Sequence, residues 1–110
     1  MAAKFELKAT RKGLHFNLKA PNGKYVLTSE TYETKRAALA GIDSVRKNSA
    51  NALAYEIRHS QKAEPYFVLL AKNKAVIGRS QMYKTGKGCR LGILSCRKFG
   101  PLARIEDLVL

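Results

Sequence analysis

Two cysteines and two histidines are the side chains of this sequence best suited to bind a metal ion or to act as nucleophiles. Cys89 and Cys96, if helical, share one face and lie about 10.5 Å apart along the axis. A disulfide tolerates only about 7 Å between Cα atoms, so the two thiols cannot bridge within one helix. His15 and His59 form no close pair with them, so a zinc site is not expected. We expect no metal and no cofactor, and we interpret the cysteines as small, buried apolar residues.

Groups for acid–base chemistry are equally sparse. The chain has eight Asp and Glu residues, and no two are placed as a catalytic carboxylate pair. His15 falls on the outward phase of a predicted strand, whereas His59 falls on the inward phase and is expected to pack in the core. The sequence therefore favours a binding protein over an enzyme, and we assign no catalytic residue.

One short segment has the composition of an anion site. Residues 84–90 read Lys-Thr-Gly-Lys-Gly-Cys-Arg and stand at the predicted start of a helix. Free backbone N–H groups at such a start favour an anion, and glycines allow it to approach closely. Lys84, Lys87 and Arg90 would add positive charge. The spacing of a Walker A loop is absent, and a solvated basic turn is the alternative interpretation.

The net charge of +13 is the most unusual feature of the composition. Both halves are basic, since residues 1–51 hold ten Lys/Arg against four Asp/Glu, and residues 52–110 hold eleven against four. No acidic residue occurs between Glu64 and Glu106. Such a field attracts polyanions, nucleic acid above all. The residues that we expect to bind an anion or nucleic acid are Lys72, Lys74, Lys84, Lys87, Arg90, Arg97 and Lys98.

A second candidate surface is apolar. On the predicted strand near residues 66–70, Phe67 and Leu69 point inward, so Tyr66, Val68 and Leu70 point outward. This outer strip is expected to contact a protein partner, a second chain or the C-terminal segment of this chain.

An internal repeat organises the elements that position these residues. Residues 16–49 align without a gap with residues 67–100, and identities include Phe16/Phe67, Tyr32/Tyr83 and Gly41/Gly92. In each copy, alternating apolar residues predict strands, and the Asn22-Gly23 pair predicts a type I′ turn. An apolar stripe then predicts a helix after Thr34 and another after Thr85. Glycines in the second helix predict that it is shorter or begins later. Residues 103–110 predict a last strand.

The string Tyr-x-Thr-Lys-x-Ala-Ala-x-x-Gly-Ile-x-Ser-Val-x-x-Asn, at residues 32–48, resembles the signature of the YegP-like family of bacterial proteins. Asn22-Gly23 and Ser29-Glu30 before it extend the likeness, as do residues 103–108 at the far end. The resemblance implies paired β-β-β-α-β units that form one antiparallel sheet with exchanged C-terminal strands. It implies no particular activity.

We therefore predict an α+β fold in which two tandem β-β-β-α-β repeats share one antiparallel sheet with two helices on one face. The single domain spans residues 1–110, with repeats at about 4–51 and about 54–110. The leading hypothesis is a small cytoplasmic module that binds nucleic acid or another polyanion through phosphate. The alternative is a protein-interaction or scaffold module. The absence of a long apolar run predicts no membrane span, and a monomer and a homodimer both remain open.

Overall fold

A computed structural model describes residues 2–109. Its elements, in chain order, are β1 (Lys4–Thr10), β2 (Gly13–Lys19), β3 (Tyr25–Ser29), α1 (Lys35–Asn48), a 3-10 turn (Ala52–Ala54), β4 (Tyr55–His59), β5 (Pro65–Leu70), β6 (Val76–Arg79), α2 (Gly86–Phe99) and β7 (Arg104–Asp107). The two repeats and the α+β class are thus confirmed. Met1 and Leu110, which the predicted domain and last strand include, lie outside the described residues.

The seven strands form one sheet in the order β4-β5-β6-β3-β2-β1-β7. β3 and β6 join the two repeats at the centre, where Thr28 pairs with Arg79 and Ser29 with Gly78. All pairs are antiparallel except β1 with β7, which are parallel, so the sheet is mixed rather than wholly antiparallel. The chain leaves α2 at one side of the molecule and adds β7 beside the first strand of the other repeat.

Both helices cover the same face of the sheet. Ile42 and Val45 of α1 and Cys96 of α2 belong to one buried cluster with Phe16 and Phe67 of the sheet. Equivalent aromatic pairs anchor the two halves, because the rings of Phe5 and Phe16 lie 5.8 Å apart and those of Tyr55 and Phe67 lie 5.5 Å apart. The core therefore repeats the internal symmetry of the sequence.

Helix α2 is neither short nor late. It begins at Gly86 and runs for 14 residues, as α1 does, because Thr85 caps it by accepting a hydrogen bond from Gly88 N at 3.0 Å. Gly92 is required where it stands, since a Cβ there would overlap the hydroxyl of Tyr83. Gly41 of α1 has the same relation to Tyr32. The expectation that α2 is shorter or begins later was wrong, because helix propensity alone ignores the Thr85 cap and the packing of Gly92 against Tyr83.

The turn between β2 and β3 also differs from the prediction. Gly23 has a positive φ of 87°, but Asn22 does not, and Gly23 N donates to Ala20 O at 2.9 Å. Pro21 fixes a negative φ at the first central position, which excludes a type I′ turn. The equivalent turn of the second repeat uses Lys74, with a φ of 71°, in place of Gly23.

Ser29 and Ser80 accept backbone hydrogen bonds from the neighbouring strand where β3 and β6 end. Phe16 N donates to Ser29 Oγ at 2.9 Å, and Phe67 N donates to Ser80 Oγ at the same distance. Both hydroxyls therefore have a structural role in the sheet. His59, by contrast, is exposed, because β4 is an edge strand whose end nothing covers among the described residues. Its expected place in the core was wrong.

Candidate anion-binding surface

The start of α2 brings three of the predicted residues together. Lys84 precedes the capping Thr85, Lys87 lies in the first turn, and Arg90 follows one turn later. The Arg90 guanidinium folds back over the helix start, with Nη1 3.3 Å from the point where a Cβ on Gly86 would lie. All three side chains are exposed. The helix dipole adds positive potential at the same place.

The solvent-facing side of α2 continues this basic surface. Lys87 and Lys98 lie on a line with Leu91 and Leu94, opposite the buried cysteines, since side chains three and four apart share a helix face. Arg90 and Arg97 lie along one side of that line. The helix contains no acidic residue. The two leucines are 57% and 54% exposed. The solvent-facing side of α2 therefore has an exposed apolar patch with a lysine at each end.

Lys72 and Lys74 stand elsewhere, at the turn between β5 and β6. With Asn51 and Leu53 they line a cavity of about 150 Å³ beside the end of α1. Arg97 Nε donates to Ala50 O at 3.3 Å, one residue from Asn51. The link after α1 therefore lies between the turn that carries the two lysines and the last turn of α2.

The seven predicted residues thus form two groups rather than one site. Lys84, Lys87 and Arg90 surround the start of α2, whereas Lys72, Lys74, Arg97 and Lys98 lie near its end. Lys87 and Lys98 are separated by about 16 Å along the helix axis. A single small anion cannot span that distance, but an extended polyanion can.

The basic residues of the two repeats differ in how many of them form ion pairs. Lys4, Lys8, Lys19, Lys35 and Lys47 of the first repeat all form ion pairs with carboxylates. Within residues 2–109, none of the seven predicted binding residues does so. Their charge is therefore left for a partner or for solvent.

A buried carboxylate on the outer face of the sheet was missed by sequence reasoning. Glu6 is only 5% exposed, and the Tyr25 hydroxyl donates to its Oε1 at 2.8 Å. The ammonium groups of Lys8, Lys19 and Lys4 lie 3.4, 3.5 and 3.8 Å from its oxygens. Burial alone would raise the pKa of Glu6, but the Tyr25 hydrogen bond and the ammonium groups of Lys8 and Lys19 hold that pKa below its ordinary value of 4.5. The alternation of Lys4, Glu6 and Lys8 along one strand face was the available signal.

The outer strip of Tyr66, Val68 and Leu70 offers less surface than its position suggested. Val68 is 2% exposed and Leu70 is 9% exposed, while Tyr66 is half-buried. The C-terminal segment is not the cover, because β7 lies at the opposite edge of the sheet. The cross-strand neighbours of Val68 are Glu56 and Arg79, which have side chains long enough to cover it.

The cysteines are free and buried, as the sequence indicated. Burial raises the pKa of both thiols, that of Cys96 to about 11.

No group of three or more His, Cys, Asp or Glu residues in the described part of the chain could hold a metal ion. Neither helix there has the length and apolar character needed to cross a bilayer.

Known proteins match this chain along nearly its whole length. A family model described as a domain of unknown function, DUF1508, matches twice, at residues 9–56 and 60–107. The UPF0339 protein YegP of Yersinia pestis is 47% identical over 96% of this chain and 96% of its own, and UPF0339 protein PA0329 of Pseudomonas aeruginosa is 44% identical over 97% and 98%.

Two solution NMR structures have the same fold. YegP from E. coli matches with a TM-score of 0.92 and 40% identity over 99% of this chain and 95% of that one. UPF0339 protein SO3888 from Shewanella oneidensis matches with a TM-score of 0.91 and 38% identity over 99% and 93%. The resemblance in residues 32–48 is therefore confirmed by sequence and by fold. The chain contains two tandem DUF1508 repeats and belongs to the YegP-like UPF0339 family.

Proposed function

We propose that this protein is a cytoplasmic module that binds a polyanion, nucleic acid being the partner, through contacts to phosphate. One observation supports the proposal most directly. The basic residues of the second repeat, from Lys72 to Lys98, form no ion pair with any carboxylate within residues 2–109, whereas five lysines of the first repeat each lie beside at least one carboxylate. Unpaired lysines and arginines gain counterion-release energy when they meet phosphates.

The arrangement favours binding without sequence preference. The two basic groups lie about 16 Å apart along α2, a distance that covers several phosphates of an extended strand or duplex. The exposed face between them carries Leu91 and Leu94 rather than aromatic or amide side chains. Bases are read by hydrogen bonds or by stacking, and the two leucines supply neither. We therefore expect a binding role rather than catalysis, with specificity set by charge.

The test is binding of labelled single-stranded and double-stranded DNA and RNA at two salt concentrations. We expect micromolar affinity at low salt and a steep loss at higher salt. The double substitution Lys87→Glu and Arg90→Glu should weaken binding at least tenfold. Arg11→Glu with Lys12→Glu, an equal charge change in the turn after β1, is the matched control and should weaken it much less. Equal effects of the two pairs, or no binding at low salt, would refute the proposal.

A further inference from the structure

The strand β7 has no counterpart at the other end of the sheet. Strands β1, β2 and β3 of the first repeat correspond to β4, β5 and β6 of the second, and the sheet is symmetric about its centre up to β1 and β4. β7 then extends it beyond β1 only. Within residues 2–109, no strand pairs with the outer edge of β4.

The molecule shows how a strand is held at the occupied edge. Leu108 N donates to Leu7 O at 2.9 Å, and Arg46 Nη2 donates to Ala103 O at 2.7 Å. The acidic side chains of β7 meet cations, since Lys4 Nζ lies 3.0 Å from Glu106 and Lys35 pairs with Asp107. β7 is therefore bound by backbone hydrogen bonds and by carboxylates that face lysines.

The edge of β4 is ready for the same backbone pairing. Phe67 N and O both bond Ser80, on the side of β6, so Phe67 cannot bond Ile57, its partner across the β4–β5 pair. The N–H and C=O of Ile57 consequently point to the free edge, as the carbonyl of its equivalent, Leu7, points to β7. Leu7 is fully buried, whereas Ile57 is 40% exposed.

Helix α2, on the side of this edge, is also less covered than its equivalent α1. Ile42 of α1 is fully buried, but its equivalent in α2, Ile93, is only partly buried and lines an open cleft of about 400 Å³ with Lys87, Arg90, Leu91 and Leu94. Gly86 replaces Lys35, the residue that pairs with Asp107 of β7. The Arg90 guanidinium lies over Gly86 and so supplies a cation at the equivalent place.

We propose that the edge of β4, together with the α2 cleft, binds an extended acidic segment of another protein as an added strand parallel to β4. Backbone pairing at Ile57, an apolar side chain against Ile93 and a carboxylate at Arg90 would hold it. Two copies meeting at this edge would bring together two α2 helices that carry basic residues and no acid, so charge favours a foreign acidic strand over a second copy.

This site goes beyond the proposed binding of nucleic acid, because its defining contact is the backbone of an edge strand. The substitution Ile57→Pro separates the two. Proline removes an N–H that faces the free edge and spares the hydrogen bonds between β4 and β5. It therefore leaves Lys87 and Arg90 in place, and binding of nucleic acid should not change.

The probe is a synthetic peptide with the sequence of residues 103–109. It copies β7, the acidic edge strand of this protein. Titrated into the full-length, isotope-labelled protein, it should shift the amide signals of Tyr55, Ile57, His59 and Ile93 and saturate below about 1 mM. Ile57→Pro should weaken binding at least tenfold, with its fold checked by thermal unfolding. The same peptide with both acids changed to lysine should not bind.

Three results would overturn the proposal. One is the absence of saturable binding to the wild type, and another is a set of shifts confined to β1 and β7, where the peptide would merely exchange with the chain's own strand. The third is a dimer of the wild-type protein in analytical ultracentrifugation that Ile57→Pro abolishes, since a second copy would then be the occupant. Arg90→Glu provides a second variant that keeps β4 intact, and it should weaken binding of the acidic peptide.

Discussion

Ser49 and Gly100, which are equivalent residues of the two repeats, lie against each other where helices α1 and α2 end. A Cβ at position 100 would overlap the Ser49 hydroxyl. That hydroxyl is fully buried and has no hydrogen-bond partner among residues 2–109. The two repeats therefore meet at a contact that allows one small side chain but not two.

This contact gives a pair of stability predictions of opposite sign. Gly100→Ala should lower the free energy of unfolding by about 1–3 kcal/mol because the added methyl overpacks the contact. Ser49→Ala should leave stability unchanged or raise it by about 1 kcal/mol, since it removes a buried hydroxyl that lacks a partner. Chemical denaturation measures both changes. Ser49→Gly added to Gly100→Ala should restore most of the loss, and failure of that rescue would argue against a direct contact.

A second prediction concerns glycines within one helix. In an exposed helix, Gly→Ala stabilises by up to about 1 kcal/mol. Gly92→Ala should instead destabilise α2 by about 1–3 kcal/mol, because its Cβ would overlap the Tyr83 hydroxyl. Gly86→Ala is the control in the same helix, since only the flexible end of Arg90 lies near it. Denaturation curves that moved in the same direction for both variants would contradict the packing role of Gly92.

The carboxylate of Glu6 predicts a pH-dependent stability. Because its pKa is lower in the folded protein than its ordinary value of 4.5, its ionisation stabilises the fold above that pH. The contribution is lost as the pH falls through the lowered pKa. Glu6→Gln should therefore cost about 1–3 kcal/mol at neutral pH, where charged hydrogen bonds are lost, and nothing in strong acid. Unfolding of both proteins between pH 2 and pH 7 gives the comparison. A pH-independent difference would show that the charge is not responsible.

Cys89 and Cys96 predict slow thiol chemistry in the native state. Burial raises the pKa of both thiols, and that of Cys96 reaches about 11, so little thiolate is present at neutral pH. Alkylation should be undetectable in the folded protein and should reach two thiols per chain in denaturant. Rapid labelling of either cysteine without denaturant would contradict the packing of α2 described above.

The repeat, the strands and the positions of the helices could be predicted from the sequence because they depend on local periodicity. Sequence reasoning judged α2 by helix propensity alone, whereas Gly92 is fixed by a contact with Tyr83 that is visible only in three dimensions. The alternation of Lys4, Glu6 and Lys8 is enough to place Glu6 on the outer face, but the burial of its carboxylate depends on Tyr25 and Lys19 from neighbouring strands. Grouping Lys74 with Lys84 reflected nearness in the chain, which the fold does not keep. The basic composition is evident in the sequence, but which basic side chains form ion pairs with carboxylates depends on the fold.

The placement of β7 beside β1 makes the chain close on itself. Lys4 and Glu106, joined across this pair, are 102 residues apart in sequence. In an open array of repeats each unit touches only its neighbours, so the end units can fray while the rest stays folded. Here the last strand is an integral part of the first repeat, which is therefore not complete without the second. We therefore expect the two copies to unfold together, although each has its own hairpin, helix and aromatic pair.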